Sequence, residues 1–219
     1  MSEWPDHWPV SNWCETRELI KTIIFDLGKV IIPFDFGRAY ERIAPLCNIT
    51  PAEVPERLRN CDLVSRFESG LIEPRPFVQE LASRLQLKIS YADFCTIWSS
   101  IFLPHTLIPE SLLVGLRDRY RLLLLSNTNA IHFEMVSERY PLLRHFDEYI
   151  LSYKVGAMKP SPVIYEAALA RAQCRPDECF FTDDIPAYVE GAKAHGIDAV
   201  QFQNADQIEA ELRARGVIW

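Results

Sequence analysis

The feature that most constrains this chain is a set of short, unbroken apolar runs, each of which ends at a polar residue. Residues 22–27 read Thr-Ile-Ile-Phe-Asp-Leu, residues 121–126 Arg-Leu-Leu-Leu-Leu-Ser, and residues 179–184 Cys-Phe-Phe-Thr-Asp-Asp. Runs of four to six residues without polar alternation are strands buried on both faces, which is the situation of a parallel sheet covered by helices. Residues 149–153 and 199–202 have the same character, so five strands are expected.

Between these runs the apolar residues recur at helical spacing. Leu112, Leu113 and Leu116 share a face before the second strand, and Ile131, Met135 and Val136 share one after it. Ile164, Tyr165, Ala168 and Leu169 do so before the fourth strand, with Val189, Ala192 and Lys193 following it. Strands alternating with helices predict an α/β fold: a Rossmann-like, mainly parallel sheet with helices on both faces. Ligands of such sheets sit at the C-terminal strand ends.

The alternation breaks between residues 36 and 107. Residues 39–46, 54–59, 76–85 and 91–102 read as helices with no strand among them. This predicts an inserted all-helical cap domain at 36–107, a core built from 22–35 and 108–219, and an N-terminal extension at 1–21 carrying Trp4, Trp8 and Trp13. The expected hinges are residues 32–35 and the stretch around Pro104 and Pro109, because proline interrupts helix.

A net charge of -7, with no cluster of Lys and Arg, argues against a nucleic-acid partner. No apolar run approaches the roughly 20 residues needed to cross a bilayer. The first 20 residues lack a basic start and an apolar stretch, so a cytoplasmic protein without a secretory signal is expected. Six scattered cysteines, none in Cys-x-x-Cys spacing, read as reduced and mostly buried thiols.

Asp26, Ser126, Lys159 and the Asp183-Asp184 pair all stand at or near strand ends, where a parallel sheet brings them to one crevice. Carboxylates gathered there need a cation, and the added lysine suggests Mg²⁺ together with a phosphate.

In that order, Phe-Asp-Leu-Gly-Lys-Val, Ser126-Asn127-Thr128-Asn129, Lys159-Pro160 and Asp183-Asp184 resemble the four motifs of the haloacid dehalogenase superfamily, over residues from about 22 to 202. The branch it looks most like contains bacterial glucose-1-phosphate phosphatases and the N-terminal phosphatase domain of soluble epoxide hydrolases. The resemblance implies a Mg²⁺-dependent phosphatase acting on a small phosphomonoester, sugar phosphates first. Asp26 would be the nucleophile, forming a phospho-aspartate, and Lys159 and Ser126 would be catalytic. Ser126, Asn127 and Lys159 would bind the phosphate. Asp26, the backbone carbonyl of Gly28, Asp183 and Asp184 would hold the metal.

One position departs from the pattern. The family's phosphatases carry a second aspartate two residues after the nucleophile as general acid and base, where this chain has Gly28. A substrate with a good leaving group needs less protonation, or another residue substitutes, with Asp35 and His132 the nearest candidates. The alternatives are a binding or regulatory protein that has lost turnover, and a phosphotransferase. The acidic pair at 183–184 argues against a metal-free dehalogenase.

Overall fold

A computed structural model describes residues 20–59 and 61–219, so the three N-terminal tryptophans and Cys14 lie outside the described residues. In chain order the elements are β1 (Thr22–Phe25), α1 (Gly37–Ile43), α2 (Glu53–Arg59), α3 (Leu63–Glu68), α4 (Pro74–Leu85), α5 (Tyr91–Trp98) and α6 (Glu110–Arg117). There follow β2 (Arg121–Ser126), α7 (Ala130–Arg139), β3 (Glu148–Leu151), α8 (Ser152–Val155), α9 (Pro162–Ala172), β4 (Cys179–Asp183), α10 (Pro186–Lys193), β5 (Asp198–Gln201) and α11 (Ala205–Ala214).

The five strands form one parallel sheet in the order β3-β2-β1-β4-β5. Because the chain builds outward from β1 first through β2 and β3, then through β4 and β5, the direction of winding reverses between β1 and β4. That reversal leaves a crevice at the C-terminal strand ends.

Strand alternation sorts the core into two layers. Ile23, Phe25, Leu122, Leu124 and Phe180 face Leu112, Leu113 and Leu116 of α6, Val136 of α7 and Ile208 and Leu212 of α11. Ile24, Leu123, Leu125 and Phe181 face Ile164, Tyr165 and Ala168 of α9 and Val189 and Ala192 of α10. Every strand residue named here is fully buried, which is why the runs carry no polar alternation. Lys193, read onto the buried face of its helix, is exposed, and Leu169 is half-buried.

Helices α1 to α5 enclose a separate apolar cluster around Phe67, Phe77, Phe94 and Trp98, in which Phe67 stacks on Phe77 at 4.0 Å. Ile131 of α7 joins this cluster while Val136 packs under the sheet, so α7 lies between the two bodies. The connections to the lobe run side by side. Asp35 N–H donates to the Ile101 carbonyl (2.9 Å), Leu103 N–H to Pro33 (3.0 Å) and Leu107 N–H to Ile31 (2.9 Å).

Three local expectations are corrected. Residues 152–153 leave the third strand and open α8, because the Ser152 hydroxyl accepts from the Thr128 N–H and donates to the Thr128 carbonyl, tying it to the neighbouring loop. Helix α3 was not anticipated, since its six residues carry only Leu63 and Phe67 as a buried i, i+4 pair. Among the described cysteines only Cys179 is buried; Cys47, Cys61, Cys95 and Cys174 are half-buried at the edges of the apolar clusters.

Candidate active site

Asp26 follows β1 directly, and its N–H still donates to the Thr182 carbonyl (3.0 Å), which holds it level with Asp183 at the end of β4. Beyond it the chain turns sharply. The Leu27 carbonyl accepts from both Ile31 and Ile32, and Lys29 adopts a left-handed backbone at φ 57°. Ser126 ends β2 on the other side of β1.

Lys159 reaches into the crevice from the loop between α8 and α9. Its ammonium donates to Asp26 Oδ1 (2.6 Å), Asp183 Oδ2 (2.5 Å) and the Leu125 carbonyl (2.9 Å). All three donor positions of the ammonium are thereby used, and lysine and both aspartates are buried. The sequence pattern therefore brings Asp26, Lys159 and Asp183 into direct contact across 133 and 24 residues of chain.

One carboxylate oxygen from each of Asp26, Asp183 and Asp184 lies within 4.8 Å of the others. Three carboxylates against the one buried ammonium leave two negative charges, with Asp26 and Asp183 buried and Asp184 half-buried. Burial, opposed by Lys159 and reinforced by Asp183, pushes the Asp26 carboxyl up to about 7. Burial and the Asp183 charge likewise raise Asp184. Burial works against the Lys159 ammonium, but the two carboxylates beside it outweigh that and raise its pKa. A divalent cation supplies the missing two charges, and an all-oxygen donor set suits a hard ion such as Mg²⁺.

The Asn127 side chain is committed to the lysine loop. Its Nδ2 donates to the Lys159 carbonyl (3.0 Å), and its Oδ1 accepts from the Lys159 N–H (2.7 Å). Its side chain thus aims Lys159. Tyr188 is a participant that no sequence signal marked: its hydroxyl accepts from Asn127 (3.3 Å), and the Lys159 ammonium lies 5.2 Å from its ring centre.

The structure favours neither candidate for the missing acid. Asp35 is exposed, and its Oδ1 is occupied by the Gly37 N–H (2.8 Å) at the start of α1. His132 is buried, and both ring nitrogens are engaged, Nδ1 with Asn129 Nδ2 (3.1 Å) and Nε2 with the Trp98 carbonyl (3.1 Å). A carbonyl only accepts, so Nε2 carries the proton and Nδ1 accepts. Burial drives its pKa down to about 4, which keeps the ring neutral.

Position 28 itself has no room for a side chain. A Cβ there would lie 2.7 Å from Cε1 of Phe34, whose ring is boxed by Phe36 at 5.1 Å and Phe102 at 6.2 Å. Restoring the aspartate with Gly28→Asp is therefore expected to cost about 1–3 kcal/mol of stability through overpacking and to give no gain in turnover. Urea unfolding and kcat of the variant check this.

Among residues 66–70, Phe67 is core, and Arg66 pairs loosely with Asp62 and Glu80 (both 3.8 Å). Gly70, at φ 67°, passes so close to the Tyr153 carbonyl that a Cβ would lie 2.0 Å from its oxygen, which docks the end of α3 on α8. Glu68 lies on the wall of the cavity beside Gly28.

The sequence model for haloacid dehalogenase-like hydrolases matches residues 20–196. A D-ribitol-5-phosphate phosphatase from Bacteroides thetaiotaomicron is 27% identical over 200 residues, covering 89% of this chain and 97% of that protein. A phosphatase from Mycobacterium tuberculosis is 24% identical over 215 residues, covering 91% and 96%. The crystal structure of a HAD family enzyme from Bacteroides thetaiotaomicron, in complex with magnesium and inorganic phosphate, superposes with a TM-score of 0.75 at 29% identity, covering 84% of this chain and 95% of that one.

Proposed function

The chain belongs to the haloacid dehalogenase-like hydrolases, and from that premise we propose that it hydrolyses a phosphomonoester of a sugar or sugar alcohol through a phosphate ester on Asp26. It is a phosphatase that works with Mg²⁺. Asp26, Gly28 through its carbonyl, Asp183 and Asp184 are the proposed ligands. When bound, the ion neutralises charge on the phosphoryl group and on the carboxylates around it.

The observation that carries the mechanism is Asp26 itself: a strand-end carboxylate, buried, held at 2.6 Å by a lysine that Asp183 and the Leu125 carbonyl also fix. Such a carboxylate is oriented for in-line attack, and the lysine lowers its repulsion from the phosphate. Ser126 and the backbone N–H of Asn127 would take the phosphoryl oxygens, since the Thr128 N–H is bound to the Ser152 hydroxyl. Water then attacks phosphorus and frees Asp26.

Residues 36–107 would act as a cap over the strand ends, hinged at the paired connections near Pro33 and Leu103. Its enclosed space is small. A cavity of about 60 Å³ runs between Gly28, Ser126 and the lobe, and another of about 250 Å³ lies between α1, α2 and α5. The larger suits a compact substrate, and the smaller shares Phe36, Glu68 and His132 with it. The relative that acts on D-ribitol 5-phosphate supports a sugar or polyol phosphate.

The test is turnover with Mg²⁺ across p-nitrophenyl phosphate and a panel of sugar and polyol phosphates, with EDTA alongside. Metal-dependent release of inorganic phosphate, highest for one small polyol or sugar ester, is the expected result. Phosphate binding without turnover on the whole panel would favour a binding protein. Transfer of the phosphoryl group to an added sugar would favour a phosphotransferase.

A further inference from the structure

The cavity beside the strand ends is lined by Gly28, Ser126, Asn127 and Thr128 from the sheet side and by Glu68 and Phe36 from the lobe side. Among the described residues two titratable side chains line it, Glu68 and His132. The histidine is neutral with both nitrogens spent. Glu68 is the last residue of α3 and also lines the larger cavity under the lobe, so it stands where the two spaces meet. On these observations, and resting on the phosphatase reading above, we infer that Glu68 is the catalytic acid and base that position 28 does not provide.

Its surroundings suit that role. Among the described residues no ion pair or hydrogen bond reaches the Glu68 side chain. Tyr40 of α1, Arg59 of α2 and His132 of α7 line the larger cavity with it; Arg66 and Glu80 pair with each other, and Tyr153 and Lys154 belong to α8, against which α3 packs. None of these pairs with Glu68, and burial alone raises its carboxyl to about 7. A carboxyl in that state is protonated often enough to donate at neutral pH and to accept afterwards. Gly70, two residues on and pressed against the Tyr153 carbonyl, fixes the end of the helix.

In the first step an Asp26 oxygen forms a bond to phosphorus as the bond to the leaving oxygen breaks. The electron pair stays on that oxygen, which takes the Glu68 proton, and the alcohol departs. In the second, the Glu68 carboxylate takes a proton from water as the water oxygen bonds to phosphorus. Asp26 is released as carboxylate, inorganic phosphate forms, and Glu68 is again an acid.

The experiment compares parent, Glu68→Gln and Glu68→Asp on p-nitrophenyl and unsubstituted phenyl phosphate, which have the same shape and no sugar hydroxyls but differ in leaving-group basicity. Because kcat/KM reports only the step up to release of the phenol, Glu68→Gln should leave p-nitrophenyl phosphate within about threefold of the parent and lower phenyl phosphate by ~10²-fold or more. Glu68→Asp should recover part of that loss. The parent's kcat/KM for phenyl phosphate should fall as pH rises above about 7, where the acid is lost, and that limb should vanish in Glu68→Gln.

Equal loss on both substrates, or no loss, would overturn the role, the first pointing to a structural effect that thermal unfolding would also register. A parent without Mg²⁺-dependent turnover on either substrate would overturn the phosphatase reading and this inference with it. Turnover that survives Asp26→Asn but keeps the Glu68 pattern would sink the nucleophile alone.

Discussion

Asp26→Asn is expected to lower kcat by at least ~10⁴-fold on every phosphomonoester the parent accepts, the scale on which losing a nucleophile acts. The amide keeps the shape of the side chain but has no charge to attack phosphorus. The loss should appear with good and poor leaving groups alike, because the same carboxylate displaces every alcohol. The fold should survive. Asp26 is buried with its carboxyl raised, so burying its charge already opposes folding, and Asn removes that charge while leaving Lys159 its bond to Asp183. Steady-state kinetics together with thermal unfolding in EDTA decide it: a Tm at or above the parent's with turnover lost is the expected pair of readings. A variant that turns over within tenfold of the parent would remove Asp26 from the chemistry.

Lys159→Ala is expected to damage both catalysis and the fold. The loss of a fixed positive charge beside the phosphoryl group should lower kcat by ~10²–10³-fold. In the metal-free protein it also strips Asp26 and Asp183 of their shared partner, and removing one member of a buried charge set costs about 3–5 kcal/mol. The pH dependence has a definite sign. Asp26 is already raised to about 7, and without the ammonium its carboxyl rises further, so the folded state binds more protons than the unfolded one between pH 4 and 7. Stability of the variant then falls as pH rises through that window. Urea unfolding in EDTA should show the deficit near its full size at pH 8 and clearly smaller at pH 5, where the Asp26 carboxyl takes a proton. Saturating Mg²⁺ should recover part of the deficit at pH 8. A deficit independent of pH would mean that the lysine supports the fold through packing rather than charge.

How much of this was legible beforehand varies by element. The strands at 22–25, 121–126 and 179–183 announced themselves because a strand covered on both faces has no polar position to spare, and the polar residue that ends each run falls at the mouth of the sheet. The cap was less transparent. Its longer helices showed periodicity, but α3 has six residues and two buried side chains, too few to register a period. The motif marked Asn127 only as a phosphate-binding residue, and that its side chain also braces the Lys159 loop is a fact of the fold. His132 looked like a spare base, and its burial against Trp98 and Phe102 is a fact of how α7 meets the lobe.

The sequence by itself thus determined the parallel sheet, the order of the strand-end residues and the charge imbalance that calls for a divalent cation. These follow from apolar run length and residue type, which act over a few neighbours. Which acid serves the leaving group was decided only in three dimensions. Phe34 fills the space beside Gly28, the Asn129 and Trp98 contacts spend both nitrogens of His132, and docking of Gly70 against Tyr153 brings Glu68 to the same cavity as Gly28 and Ser126. Each of those contacts joins residues far apart in the chain, and it exists only once the lobe has packed on the core.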